Sequence, residues 1–288
     1  MRIASIIQKD NFNDIFMSAF DEIYQHGIVN HPRDKNCKEI ITPILILDNP
    51  KNCLCTLAER KMNYAYLIIE KMMYLSQFQD PSILIAYNSN MQNFLNKDTL
   101  LFDGAYGERI GKNNQLFWCY EQLKKDKDTR QAIITIHNSD DCHTTLDNAC
   151  TLNLNFIIRE DKLNLITYMR SNDLLWGTCL DIPAFCFLQE VMAYWLGIEV
   201  GKYIHIPTSL HYYQEFEERI FNINRNNLNL ESTPTWTISY EETPLALKEF
   251  WTEEENIRNN LKFNDTQYAV INSYLKKLLT YWQNKLKK

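Results

Sequence analysis

Cys150 stands at the head of a run, Thr-Leu-Asn-Leu-Asn-Phe, in which apolar and polar residues alternate. Its thiolate would be a nucleophile, and nearby arginines lower the pKa at which it forms. Further on, Arg170-Ser171 sets a planar guanidinium fork beside a hydroxyl donor, a pair suited to gripping a phosphate. Asp173 and Asp181 follow, two acids able to meet the amide or amidine edge of a heterocycle. Taken singly these signals are weak. A lone cysteine is more often a small buried hydrophobe. Arg170 also reads as a strand-end charge, Asp173 as a turn residue, Glu70 as a surface acid, and His211 and Tyr213 as helix packing, each the lesser reading beside the functional one.

Composition narrows the chemistry. The 288 residues contain only seven glycines, where an average chain of this length carries about twenty. Neither GxGxxG nor GxxxxGK[ST] can be written, so any phosphate must be held by side chains rather than by a glycine-rich backbone cradle. A net charge of −6 argues against a general nucleic-acid or membrane-surface binder. The N-terminal residues show no apolar leader and no run of about eighteen apolar residues occurs. A cytoplasmic chain with eight reduced thiols is therefore expected. Cys53-x-Cys55 and Cys142-His143 lack the paired spacing of a zinc site, so no metal is expected.

The elements that must position these groups follow from periodicity. Helical spacing is expected over 10–24, within 57–75, over 182–196 with Gly197 as its stop, and over 265–286 with a basic end. Strands are expected at 44–47, 131–137, 151–158, 162–170 and 202–208, the third and fourth joined by the turn Arg159-Glu160-Asp161. Met72, Met73 and Trp195 fall at core positions, and Cys179 and Cys186 read as structural. Strands and helices mix without a βαβ rhythm, which predicts an α+β fold. One catalytic domain is expected over 1–221, with a divergent helical extension over 222–288 packing on it.

Taken together and in order, the block resembles the thymidylate synthase family, which includes the deoxycytidylate and cytidylate hydroxymethylases. The resemblance rests on A-Cys150-T, on Arg170-Ser171-Asn172-Asp173 with Gly177 and Asp181, and on His211-Tyr212-Tyr213. The Glu70 helix and Tyr106-Gly107 lie upstream, and the likeness covers about residues 10–220. It implies that Cys150 adds to C6 of a pyrimidine nucleoside 5′-monophosphate, so that C5 attacks the one-carbon unit of 5,10-methylenetetrahydrofolate. Hydride would then leave a methyl group and water a hydroxymethyl group. By the same resemblance Arg170 and Ser171 hold the phosphate, with Arg33 at a mobile loop. Arg130 reaches the phosphate site of the neighbouring subunit in a homodimer. Glu70 and Tyr106 move protons, Asp173 faces the folate, and His211 and Tyr213 contact the sugar. Gly177 and Trp176 belong to the folate side, where Trp176 narrows the pocket or stacks on a ring.

Three departures bear on the substrate. Asp181 stands where thymidylate synthases carry asparagine. A carboxylate accepts from the C4 amino group of cytosine and opposes the C4 oxygen of uracil, which favours dCMP or CMP. Asp181 also precedes Ile182-Pro183, where it reads as a helix N-cap. No tryptophan occurs before Trp118, whereas the family's synthases shield their methylene intermediate with tryptophans ahead of the Tyr-Gly segment. The chain ends in the basic QNKLKK rather than in an apolar closing segment. The last two departures favour water, and so hydroxymethylation. A divergent thymidylate synthase acting on dUMP, or a non-catalytic nucleotide-binding homologue, are the alternatives. Thr151 and Met169 have no explanation at this level.

Overall fold

A computed structural model describes residues 3–143, 145, 147–259 and 263–287; Lys288 of the basic tail lies outside them. In chain order the elements are β1 (Ile6–Lys9), α1 (Phe12–His26), β2 (Ile28–Asn30), β3 (Cys37–Ile41), β4 (Ile44–Leu47), α2 (Tyr64–Ser76) and α3 (Pro81–Tyr87). Next come α4 (Tyr106–Gly111), α5 (Gln115–Lys125), β5 (Ile133–Thr135), β6 (Thr151–Arg159), β7 (Lys162–Met169), β8 (Asn172–Asp173) and α6 (Thr178–Leu196). The chain closes with β9 (Glu199–Pro207), β10 (Ser209–Tyr213), α7 (Glu217–Phe221), α8 (Thr243–Arg258) and α9 (Ala269–Leu286).

This is the expected α+β class. One mixed sheet runs β1-β4-β9-β7-β6-β5 and a smaller one runs β2-β3-β10-β8. The two meet at a corner that positions the site. Parallel strands β7 and β9 end side by side at Met169 and Pro207. Past a short break each chain continues into the small sheet, where β8 and β10 are again parallel and Asp173 faces His211 in register. The Thr208 N–H donates to the Met169 carbonyl at the bend (2.7 Å). His211 and Tyr213 thus lie on a strand, not on the helix that a packing role would have required.

The core lies between the large sheet and the helices. Leu154, Phe156 and Ile158 on β6, with Leu163 and Leu165 on β7, point inward with essentially no exposed surface. Helix α6 is buried along most of its length; by length and composition alone it could cross a membrane, but here it is the core helix. It ends at Gly197, whose φ of +68° suits glycine and whose N–H caps the Ala193 and Tyr194 carbonyls. The turn between β6 and β7 has Glu160 and Asp161 at positive φ (52° and 54°), as a tight hairpin requires.

Several boundaries differ from the periodicity reading. Helix α6 begins at Thr178, which places Asp181 inside the first turn rather than at a cap. The helix expected within 57–75 starts only at Tyr64, because Lys61 turns left-handed (φ 53°) and the chain restarts on Asn63, whose side chain caps Tyr66 N. Helix α8 was not anticipated. Its inward residues Ala246, Leu247, Phe250 and Ile257 are diluted by charged neighbours. The core is continuous across position 221, since Phe187 of α6 packs edge-on against both Trp236 and Tyr274.

Candidate active site

The sheet corner, the N-terminus of α6 and the middle of α2 converge on Cys150. Cys150 lies just ahead of β6, and its carbonyl accepts from Arg170 N (2.8 Å), which extends the β6–β7 ladder by one pair. That pairing delivers the Arg170 guanidinium to the same turn, where Nε donates to the Ala149 carbonyl (3.0 Å) and an Nη to that of Asn148 (2.7 Å). The Arg170 and Arg33 charges both draw the Cys150 thiol pKa down, as the sequence led one to expect. Burial opposes them, with help from Asp181 and Asp147, and burial is the larger effect, so the thiol sits above its ordinary value.

Tyr106 opens α4 and leans against Tyr74 and Phe185. Its hydroxyl oxygen accepts from the N–H groups of Cys150 (3.2 Å) and Thr151 (3.0 Å), which leaves its own proton free to donate. Helix α4 is held to the loop before Cys150 by Arg109. That guanidinium grips both oxygens of Asp141 and the Ile136 carbonyl, and it keeps the Asp141 carboxyl down at about 2.

Asp181 acts on the thiol, and Glu70 lies beside Asp181. Glu70, on α2, is pushed up to about 8, chiefly by burial and then by the Asp181 charge, against a hydrogen bond from Tyr66. Asp181 is pushed up to about 7 by burial and by Asp173, against a 2.7 Å hydrogen bond from Asn172 Nδ2. Gly177 makes that bond possible, because a Cβ there would stand 2.7 Å from Asn172 Nδ2 and 3.2 Å from Asp181 Oδ2.

Asp173 accepts from Trp176 N through Oδ1 (2.7 Å), while its Oδ2 is buried without a partner. Such an orphaned acceptor needs a donor from a bound molecule or water, and a folate ring N–H fits that need. Trp176 stacks on Arg60 (4.6 Å) and Arg219 (5.2 Å), with two-fifths of its surface exposed. It is thus clamped by guanidiniums. His211 lies edge-on to Tyr213, and Arg33 reaches the Tyr213 hydroxyl from a left-handed turn (φ 53°). Ser171 links Arg170 to β8 at the corner and is half-buried.

Within one chain, Cys150, Arg170, Ser171, Asp173, Gly177, Asp181, Glu70, Tyr106, His211, Tyr213 and Arg33 therefore share a single region. Arg130 does not join them; it is exposed, just ahead of the edge strand β5. Met169 is a core residue at the end of β7, and Thr151 donates its N–H to Tyr106 with its hydroxyl buried and unpaired. Sequence reasoning assigned nothing to Asn172, Thr178 or His205. Asn172 stood inside the quoted motif, which was the one signal available. Among the described residues no group of three or more His, Cys, Asp or Glu side chains is placed to hold a metal ion.

Comparison with known proteins bears on the family and the fold. A family model described as thymidylate synthase matches residues 14–271. A deoxyuridylate hydroxymethyltransferase of Bacillus phage SP01 is 35% identical over 242 residues, covering 76% of this chain and 63% of the relative. A protein of the same description from Delftia phage PhiW-14 is 30% identical over 193 residues, covering 62% and 54%. The chain thus spans less than two thirds of the length of these relatives. Among solved structures, thermostable thymidylate synthase A from Bacillus subtilis superposes with a TM-score of 0.64 at 19% identity, covering 79% of this chain and 88% of that one, a likeness of fold. The fold, the ordered motifs and the family match together place this chain in the thymidylate synthase family.

Proposed function

We propose that this protein hydroxymethylates C5 of a pyrimidine nucleoside 5′-monophosphate, with dUMP the favoured substrate, through a covalent bond between the Cys150 sulfur and C6. The observation that carries the reading is the placement of one thiol among Arg170, Arg33 and the half-buried Asp181, with Glu70 behind Asp181. Methylenetetrahydrofolate would supply the one-carbon unit, with Asp173, Trp176 and the Gly177 turn on its side of the site.

The chain's own residues account for the remaining steps. Arg170, Ser171 and Arg33 bind the phosphate as a side-chain cradle. Sulfur attack at C6 makes C5 nucleophilic, and the C5 proton must later leave. The Tyr106 hydroxyl, already oriented by two backbone N–H groups, is placed to relay it. Glu70 keeps its proton at neutral pH and serves as a proton store beside the base. His211 and Tyr213 contact the sugar. The segment ahead of Tyr106 has no tryptophan, and its Phe94, Leu100 and Leu101 are largely exposed. Water access to the methylene intermediate follows, and with it a hydroxymethyl product.

The substrate reading turns on Asp181. An ionised carboxylate opposes uracil. A neutral carboxyl donates from one oxygen to O4 and accepts N3–H on the other, as an asparagine does. With its pKa near 7, Asp181 is largely neutral in mildly acidic solution. The two phage relatives, whose names specify deoxyuridylate, favour dUMP. The second reading, dCMP or CMP, is favoured by the Asn172 amide, which stabilises the ionised form.

A homodimer completes the proposal. The outer face of the large sheet carries a cross-strand row of Ile46, Ile204, Ile166, Asn155 and Ile133, and Arg130 at its edge would enter the partner's phosphate site. The test offers dUMP, dCMP and CMP in parallel with methylenetetrahydrofolate, with mass spectrometry of the products. A hydroxymethyl gain on dUMP is expected. A methyl gain with a rise in dihydrofolate absorbance overturns it. Cys150→Ala is expected to abolish tritium release from C5-labelled nucleotide, a loss of at least about a thousandfold for a removed nucleophile; unchanged release would sink the covalent step.

A further inference from the structure

Asp181 does not stand alone at the base edge. Asn172 Nδ2 donates to its Oδ2 (2.7 Å), while Asn172 Oδ1 receives Thr178 Oγ1 (2.8 Å) and His205 Nε2 (3.0 Å). His205 is fully buried and driven down to about 3, so its ring is neutral and carries one proton. An amide oxygen only accepts, which puts that proton on Nε2. Nδ1 is then an acceptor and takes the Tyr203 hydroxyl (2.9 Å). The Thr178 hydroxyl is also within reach of the Asp173 carbonyl (2.9 Å), and in this orientation the chain Tyr203–His205–Asn172–Asp181 is continuous. Gly177 leaves the room for it, and Asn172 itself is 3% exposed.

We propose that Asn172 is a positioning residue that sets base selectivity: its amide, oriented by Thr178 and His205, occupies Asp181 Oδ2 as a donor and leaves Oδ1 as the atom that meets position 4 of the base. A proton on the carboxyl then resides on Oδ1, where it serves the uracil oxygen. Without the proton, Oδ1 accepts from the cytosine amino group. The Asn172 donor favours the second state, so it tunes how far up the pH scale uracil is accepted. This rests on the reading that Asp181 faces the base.

The groups that also act on Asp181 are few and fixed. Glu70, Tyr66 and Tyr74 face it from α2, and Tyr106 from α4. Cys150 lies ahead of β6, Asp173 on β8, and Tyr203 on β9. Of these, Tyr203 bonds His205, and Asp173 meets the network through its carbonyl, which the Thr178 hydroxyl reaches (2.9 Å).

The experiment has two arms. In the free protein, the Asp181 carboxyl is titrated by NMR with carbon-labelled aspartate and assigned by its loss in Asp181→Asn. Asn172→Leu is expected to raise its midpoint by about one pH unit, the loss of one good donor to a buried carboxylate. His205→Leu is expected to move it less in the same direction, and His205→Gln, which restores an N–H, to return it. In the second arm, the alkaline limb of kcat/KM for dUMP should move up with the midpoint. The dUMP-to-dCMP ratio at pH 8 should rise roughly tenfold per unit. An unmoved midpoint in both Asn172→Leu and His205→Leu overturns the proposal. So do pH limbs that stay fixed while both nucleotides lose rate in proportion, the mark of a merely structural residue. If the wild type turns over neither nucleotide, the functional reading fails while the first arm still decides the coupling between Asn172 and Asp181.

Discussion

Glu70 and Asp181 hold protons that the unfolded chain would release. Glu70 has an ordinary value of 4.5 and rises to about 8 in the fold. Between those two values the unfolded state binds fewer protons than the native one, so stability falls as pH rises, by about 1.4 kcal/mol per unit, and the slope ends above about 8. Asp181 adds the same sign from 3.8 up to about 7. We predict that Glu70→Gln flattens this loss. Its urea midpoint should match wild type near pH 5 and exceed it at pH 8, while its turnover falls. Parallel stability curves would contradict a protonated Glu70. In the proposed function the two acids thus trade stability for proton chemistry, as functional sites commonly do.

At the scale of elements, the site exists because β7 and β9 leave one sheet and enter another together. The bend at Arg170-Ser171 turns the guanidinium toward Cys150 while Asp173 and His211 come opposite each other. Helix α4 needs a separate anchor, and Arg109–Asp141 is that anchor, with the Asp141 side chain 3% exposed. Removing one partner of a buried ion pair leaves a charge uncompensated and costs about 3 kcal/mol. Asp141→Asn is therefore expected to lower the thermal midpoint and, by loosening Tyr106, to slow C5 proton release more than it weakens nucleotide binding. Equal kcat with a raised KM would show that α4 does not carry the proton step. Helix α6 gives a cleaner case. Gly197 has open space around it, so Gly197→Ala meets only the left-handed backbone penalty and should destabilise by about 1 kcal/mol in denaturant titration.

For the whole molecule, the outer face of the large sheet is the surface that makes the proposed dimer. Ile204 sits mid-row between Ile46 and Ile166. A charge there would be buried without a partner in a dimer and harmless in a monomer. Ile204→Glu is expected to halve the mass seen by light scattering and, by withdrawing Arg130 from the partner site, to raise KM for the nucleotide. A variant that stays dimeric would place the interface elsewhere. The C-terminal helices serve the same molecule from the other side. The Tyr281 ring stacks on Tyr87, its hydroxyl bonds the Tyr87 carbonyl (3.0 Å), and the Trp251 indole donates to Ser76 (2.8 Å), so α9 braces α3 and α8 braces α2, the helix that carries Glu70.

The amino-acid sequence alone determined the elements whose signals are local. The β6–β7 hairpin was legible from alternation and its polar turn, and the end of α6 from Gly197, because period and glycine conformation act over a few residues. It also brought out the candidate groups of the site, since Cys150, Arg170-Ser171, Asp173, Asp181 and His211 keep a recognisable order. What lay beyond it was set by burial and by distant partners. The start of α6, the whole of α8 and the true opening of α2 depend on packing that dilutes or overrides periodicity. The raised pKa of Asp181, on which the proposed choice of base turns, was set by burial and then by Asp173, against the Asn172 amide that His205 bonds, with Glu70 facing it from α2. Those residues come from separate strands and helices, and only the folded corner brings them within hydrogen-bond and Coulomb range.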